Sequence, residues 1–189
     1  VSLTWRDRAL SFAWMEQLKP EFGDPVADVA GAAASLRLPP AAVAGTGLPV
    51  QRVSCGTPFL MVPLATRRAV DSASLDPMAY GTFSRAAGLG DLPVFLFTPE
   101  SSQADKATVY SRMFAPGFGI GEDPATGGAS GPLGCYLVRH RVIAPDKAGA
   151  ILSLQGVKMG RPSHIHVAIG VEGREISTVS VGGEAVLAG

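Results

Sequence analysis

Between Ala115 and Gly128 the chain packs five glycines and two prolines into fourteen residues, so no regular element is expected there. Before this run, Thr108 to Phe114 reads as a strand. After it, Leu133, Tyr136, Leu137 and His140 recur at helical spacing within Ala129 to His140. A strand that feeds a glycine-rich turn into the start of a buried helix is an anion-binding arrangement. The first helical N–H groups have no acceptor within the helix, and the helix dipole favours negative charge at that end. Glycines at 127 and 128 let a carboxylate or phosphate come close to the backbone. Asp123 stands four residues earlier, at the mouth of the same turn, where partial desolvation would poise it for proton transfer. The plainer alternative is that Asp123 caps the helix and the glycines only turn the chain. Neither nucleotide glycine pattern is present, since no Gly-Lys-Ser/Thr follows and no Gly-x-Gly-x-x-Gly opens the helix, so ATP and NAD are disfavoured.

The rest of the chain divides into short pieces. Its 23 glycines and 15 prolines make up about a fifth of 189 residues, which favours many turns and short strands. Val1, Leu3 and Trp5, then Leu10, Phe12 and Trp14, predict two strands joined around Asp7-Arg8. Asp24 with Pro25 predicts a capped helix running to about Leu38, stopped by Pro39-Pro40. A connector at 41–49 precedes strands at Val50 to Ser54 and Phe59 to Leu64. A helix is expected at about Pro77 to Ala87. Further strands are expected at Pro93 to Thr98, Ala150 to Gln155, Ser163 to Ile169, Ile176 to Val181 and Ala185 to Leu187. Strand and helix do not alternate regularly, so the fold class is α+β rather than a doubly wound sheet.

Composition removes several classes of function. Lysine plus arginine is 16 and aspartate plus glutamate is 16, so there is no basic excess to displace phosphate counterions and nucleic acid is not an expected partner. Hydrophobic residues at 47% and charged residues at 17% support a sizeable core. The longest apolar runs, such as Phe59 to Ala65, are far short of a membrane span, and no membrane partner is expected. The first residues do not read as a signal peptide, and two cysteines cannot make a disulfide framework. A reducing cytoplasm is therefore the default expectation.

Longer motifs carry a family resemblance. Arg112-Met113-Phe114-Ala115-Pro116, the run from Gly119 through Glu122-Asp123-Pro124-Ala125-Thr126-Gly127-Gly128-Ala129, and Gly131-Pro132-Leu133 resemble the signature of the PhzF-like phenazine-biosynthesis family. Gln155-Gly156, Gly160-Arg161-Pro162-Ser163, Val181-Gly182-Gly183 and, upstream, Gly56-Thr57-Pro58-Phe59-Leu60 match it too. The resemblance implies a diaminopimelate-epimerase-like fold: two similar α+β domains, each a sheet wrapped around a central helix, with the active site between them. It implies an isomerase or epimerase-type enzyme that moves a proton on a small carboxylic acid without metal or organic cofactor. Asp123 would hold or protonate substrate, and the amides of Gly127 and Gly128, continuing into Ala129, would bind its carboxylate.

Two departures qualify the resemblance. Gly128 stands where the family commonly has serine, and the family's N-terminal catalytic glutamate has no counterpart here. The chain therefore looks like the C-terminal two-thirds of a member. By analogy residues 1–42 end a first domain, 43–182 form a complete second one, and 183–189 begin a strand returning to the first. Such a chain is expected to be inactive alone unless a second chain carries the missing half; the alternative is a truncated remnant or binding module. A homodimer is expected on family grounds.

Other candidates are weighed against simpler roles. Diaminopimelate epimerase and proline racemase use a cysteine at this helix start, whereas Cys135 lies about two turns in and reads as a small core hydrophobe. Cys55 abuts a glycine turn with nothing expected nearby to lower its pKa. His164 and His166 share one face of a strand, where structural or surface roles outweigh metal binding. Arg161 reads as a turn or ion-pair residue, Trp5 and Trp14 as core or interface, and Glu122 as a solvated neighbour of Asp123.

Overall fold

The computed structural model describes residues 1–185. Asp7 and Arg8 both adopt left-handed φ, 49° and 65°, the geometry of a two-residue hairpin turn. They fold β1 (Ser2–Arg6) onto β2 (Ala9–Gln17), as the alternation predicts. The helix expected from Asp24 is instead β3 (Glu21–Pro25) followed by α1 (Val29–Ser35). β3 lies at the sheet edge, where proline's missing N–H removes no ladder bond. The actual cap is Asp28, whose carboxylate accepts the Gly31 N–H at 2.7 Å. The connector at 41–49 contains a single turn, α2 (Ala41–Ala44). β4 (Gln51–Ser54) and β5 (Pro58–Pro63) follow, then α3 (Arg67–Ser72), which the sequence reading lacks, and α4 (Pro77–Ala86).

The second half runs β6 (Val94–Thr98), β7 (Val109–Ala115), β8 (Ile120–Asp123), α5 (Gly127–Arg139), β9 (Ile151–Gln155), β10 (Ser163–Glu172) and β11 (Glu175–Glu184). One mixed sheet takes the order β1-β2-β11-β10-β9-β7-β6-β5-β4-β3, with β8 hanging on β7. The pairs β5–β6 and β7–β9 are parallel, and the others are antiparallel. Two hydrophobic layers explain why β6 is apolar at Val94, Phe95, Leu96 and Phe97 alike: it is buried on both faces. Phe95 and Phe97 pack towards α5, while Val94 and Leu96 pack towards the side bearing α1 to α4.

The sheet curls around α5, which contacts β10 and β11 on one side and β4 and β5 on the other. This is the sheet around a central helix that the family resemblance implies. Close approach is possible because the helix presents glycine to β10 and β11. A Cβ on Gly134 would meet Val167 Cγ1 at 2.6 Å, and one on Gly131 would meet Gln17 Oε1 at 2.1 Å. β2 pairs with β11 and β3 with β4, so residues before 43 share this sheet with those after it. Gly183 and Glu184 complete β11, and the Ala185 N–H reaches the Ser11 carbonyl at 3.2 Å. The remainder of the strand expected at 183–189, like most of Ala185 to Leu187, lies outside the described residues.

Candidate functional site

The run from Ala115 to Gly128 is less irregular than its composition predicts. Gly119, at φ 73°, turns the chain back so that β8 pairs with β7, placing Asp123 opposite Met113. Strand alternation then sends Glu122 and Asp123 to opposite faces. Glu122 is not the solvated neighbour that was expected. It accepts two hydrogen bonds from Arg112, Nε and Nη2, each at 2.8 Å, in a largely buried bidentate pair. The remaining Arg112 nitrogen, Nη1, donates to the carbonyls of Val70 and Ala73 at 2.9 and 2.8 Å, closing the end of α3.

Asp123 faces the start of α5. Its Oδ2 accepts the Thr126 hydroxyl at 2.5 Å. That hydroxyl accepts the Gln155 amide at 2.9 Å, and the same amide nitrogen donates to the Asp123 carbonyl at 2.7 Å. Gln155 Oε1 in turn accepts the Thr126 N–H at 3.1 Å. Gln155 is fully buried, so one side chain fixes the backbone of the turn and the Thr126 hydroxyl, which in turn holds the Asp123 carboxylate. Asp123 Oδ1 has no hydrogen-bond partner among the described residues. Gly156, at φ 77°, lies directly beneath the turn: a Cβ there would stand 2.7 Å from the Pro124 carbonyl oxygen.

Thr126 precedes α5 without a side-chain cap. The N–H groups of Ala129 and Ser130 both bond to the Thr126 carbonyl at 3.2 Å. Ala129, fully buried, therefore has its amide spent, while those of Gly127 and Gly128 have no partner among the described residues. Gly128 is exposed and lines a hollow of about 620 Å³ with Met15, Gln17, Leu18, Cys55 and Thr57. Gln17 reaches from β2 to donate to the Gly127 carbonyl at 2.9 Å, and Pro132 has no N–H to offer the Gly128 carbonyl. The first turn is thus held partly from outside, by Gln17, in addition to the bonds to the Thr126 carbonyl. Two adjacent amides without partners among the described residues, one on exposed Gly128 and one on half-buried Gly127, near a carboxylate held by Thr126, can bind an anion and exchange a proton with it.

Sequence reading placed Asp123, Gly127 and Gly128 at this turn but assigned no role to Gln155, Thr126 or Gln17. Gln155-Gly156 was visible as a motif, and Gly156 sits beneath Pro124, where a Cβ has no room. Cys135 is fully buried, as expected of a core residue. Cys55 departs from expectation: its sulfur lies 3.8 Å from that of Cys135, and this contact holds its thiol below the ordinary value against the opposing effect of burial. His166 packs edge-on to Phe12, ring centroids 5.1 Å apart, and Phe12 lies 5.0 Å from Trp14. Among the described residues no cluster of three or more candidate metal ligands forms. Arg161 is an exposed turn residue whose N–H bonds the Gly156 carbonyl at 3.0 Å. No helix among the described residues is long and apolar enough to cross a membrane.

A sheet wrapped around a glycine-faced helix is the epimerase-like fold that the family resemblance implies. The profile of the phenazine biosynthesis-like protein family matches residues 11–189, and the chain belongs to that family. It is 34% identical over 144 residues to an uncharacterized isomerase, YddE, of Escherichia coli strain K12, covering 75% of this chain and 46% of that protein. It is 47% identical over 73 residues to the trans-2,3-dihydro-3-hydroxyanthranilate isomerase of Pseudomonas aeruginosa, covering 39% of this chain and 26% of that one. Among solved structures, a PhzF-family phenazine biosynthesis protein of Bacillus anthracis superposes with a TM-score of 0.76 at 19% identity, over 94% of this chain and 66% of that one. A Pseudomonas aeruginosa protein described as a predicted epimerase gives 0.72 at 28% identity, over 97% and 59%. The chain matches about half the length, or less, of these curated relatives.

Proposed function

We propose that this chain carries the carboxylate-binding half of an isomerase-type active site, acting on a small cyclic or amino-acid-like carboxylic acid by general acid–base proton transfer. The observation that carries this reading is the pair of amides at Gly127 and Gly128 that have no partner among the described residues, Gly128 lining the hollow, in a turn tied to Asp123 by Gln155 and Thr126. Substrate carboxylate takes the two amides, which need no reorganisation to stabilise an anion. Asp123 then presents Oδ1 to substrate as proton donor, acceptor or amine partner, while Oδ2 stays on the Thr126 hydroxyl. The backbone donors do not depend on the hydroxyl that Gly128 lacks. The names of the isomerase relatives support the reaction class.

In this reading the opposing proton-transfer group comes from a segment outside this sequence or from another chain. The working protein is a homodimer. Two measurements test the proposal. In a full-length protein that includes this chain, Asp123→Asn lowers turnover on a substrate the parent converts, by about 100-fold or more for loss of an acid–base group; unchanged turnover removes Asp123 from the chemistry. In the chain as it stands, titration with benzoate shifts the Gly127 and Gly128 amide resonances more than those of other glycines. Uniform small shifts defeat the clamp.

A further inference from the structure

The hollow beside Gly128 has a second chemically distinct wall. Cys55 follows the end of β4, and Cys135 lies in α5 about two turns past Gly127, yet their sulfurs are 3.8 Å apart. Both thiols are free, and 80 residues of sequence separate them. Their exposure differs in a way that orders events. Cys55 is 7% exposed and lines the hollow, whereas Cys135 is fully enclosed by the core around Phe59, Leu133 and Val53.

We propose that Cys55 and Cys135 form an oxidisable dithiol that a hydroperoxide entering the hollow converts into an intramolecular disulfide. Cys55 attacks the outer peroxide oxygen, the O–O bond breaks, and Cys55 becomes a sulfenic acid as water or an alcohol leaves. The Cys135 sulfur then attacks the Cys55 sulfur, forming the S–S bond and expelling a second water. The two thiols lose two electrons and two protons, and the peroxide takes up both. The 3.8 Å contact lets either thiol donate to the other, and whenever Cys135 is the donor it stabilises thiolate at Cys55, while deeper burial keeps Cys135 a thiol until Cys55 has reacted. Bond formation closes the sulfurs from 3.8 Å to about 2.05 Å. The bond would pin the Cys55–Thr57 wall of the hollow to the helix that carries the open amides.

The experiment treats the folded chain with hydrogen peroxide, unfolds it in N-ethylmaleimide and measures intact and peptide masses. The expected result is loss of both alkylatable thiols, a Cys55–Cys135 linked peptide within one chain, and full recovery with dithiothreitol. Cys135→Ala should stall at a Cys55 sulfenic acid that dimedone traps. Cys55→Ala should leave Cys135 reduced at the same dose. The inference is overturned if wild type keeps two alkylatable thiols at a dose that oxidises the unfolded chain. It is equally overturned if Cys135 oxidises in the Cys55→Ala protein, or if Cys55 passes to sulfinic acid with Cys135 still free. The wild-type peptide map decides the matter even where a variant does not fold. None of these results depends on whether Gly127 and Gly128 bind a carboxylate.

Discussion

At the scale of single residues, Gln155 concentrates the organisation of the site. It makes three hydrogen bonds from a fully buried position, to the Asp123 carbonyl, the Thr126 N–H and the Thr126 hydroxyl. Replacing it with leucine keeps most of the volume but strands a buried donor and acceptor in the turn. Net hydrogen bonds are worth about 1 kcal/mol each and orphaned groups cost more, so Gln155→Leu should lower stability by about 3–5 kcal/mol in urea unfolding. It should also free the Asp123 side chain, weakening any carboxylate response at Gly127 and Gly128 in the same protein. A Gln155→Leu protein with unchanged unfolding midpoint would mean that the turn holds itself. Asp123 was readable from sequence because an acid before Pro-Ala-Thr-Gly is a local pattern. Gln155 was readable only as part of a two-residue motif, because its role depends on β9 lying beside a turn 29 residues away. Glu122 was misread for the same reason: its partner Arg112 is ten residues back and reaches it only once β8 has folded onto β7.

At the scale of elements, α5 illustrates how packing overrides propensity. Gly127, Gly128, Gly131 and Gly134, with Pro132 among them, form a poor helix by composition, each glycine costing about 1 kcal/mol against alanine. The helix exists because its glycine face lets β10 and β11 approach and its other faces bury Leu133, Tyr136 and Leu137. Gly134→Ala is therefore expected to destabilise despite its better propensity. The added methyl would meet Val167 at 2.6 Å and Ile169 at 2.9 Å. Overpacking costs about 1–3 kcal/mol, which exceeds the propensity gain. Thermal unfolding checks this against Gly121→Ala, where nothing lies within 4 Å of the new methyl and little change is expected. Periodicity revealed α5 because its apolar positions recur over 13 residues. It missed α3, whose six residues Arg67–Ser72 are too short for a pattern. It also placed a cap at Asp24 rather than Asp28, because both acids precede an alanine-rich stretch and only the sheet edge at β3 distinguishes them.

At the scale of the whole molecule, the sheet curls until β4 meets the far end of α5, and the seam is held by polar contacts. The Tyr136 hydroxyl donates to the Pro49 carbonyl at 2.6 Å, and His140 Nε2 lies 2.7 Å from Gln51 Oε1. Gln51 uses its own amide on the Gly23 carbonyl at 2.7 Å, so its oxygen is the acceptor and His140 Nε2 carries the proton. β3, β4 and α5 are thereby tied through one imidazole. Burial, with Arg139 beside it, lowers the His140 pKa below its ordinary 6.5, because charging the ring inside the seam is unfavourable. The unfolded chain has no such penalty. As pH falls through 6.5 towards the lower folded value, the unfolded state takes up a proton that the folded state refuses, and stability declines. The contribution is fully present above 6.5 and lost below the folded pKa. Urea midpoints measured across this interval should fall on the acid side in wild type. In His140→Gln, where a neutral amide can keep the bond to Gln51, that part of the slope should vanish. An identical acid-side slope in both proteins would move the pH sensitivity of the fold to other groups and leave the seam indifferent to charge.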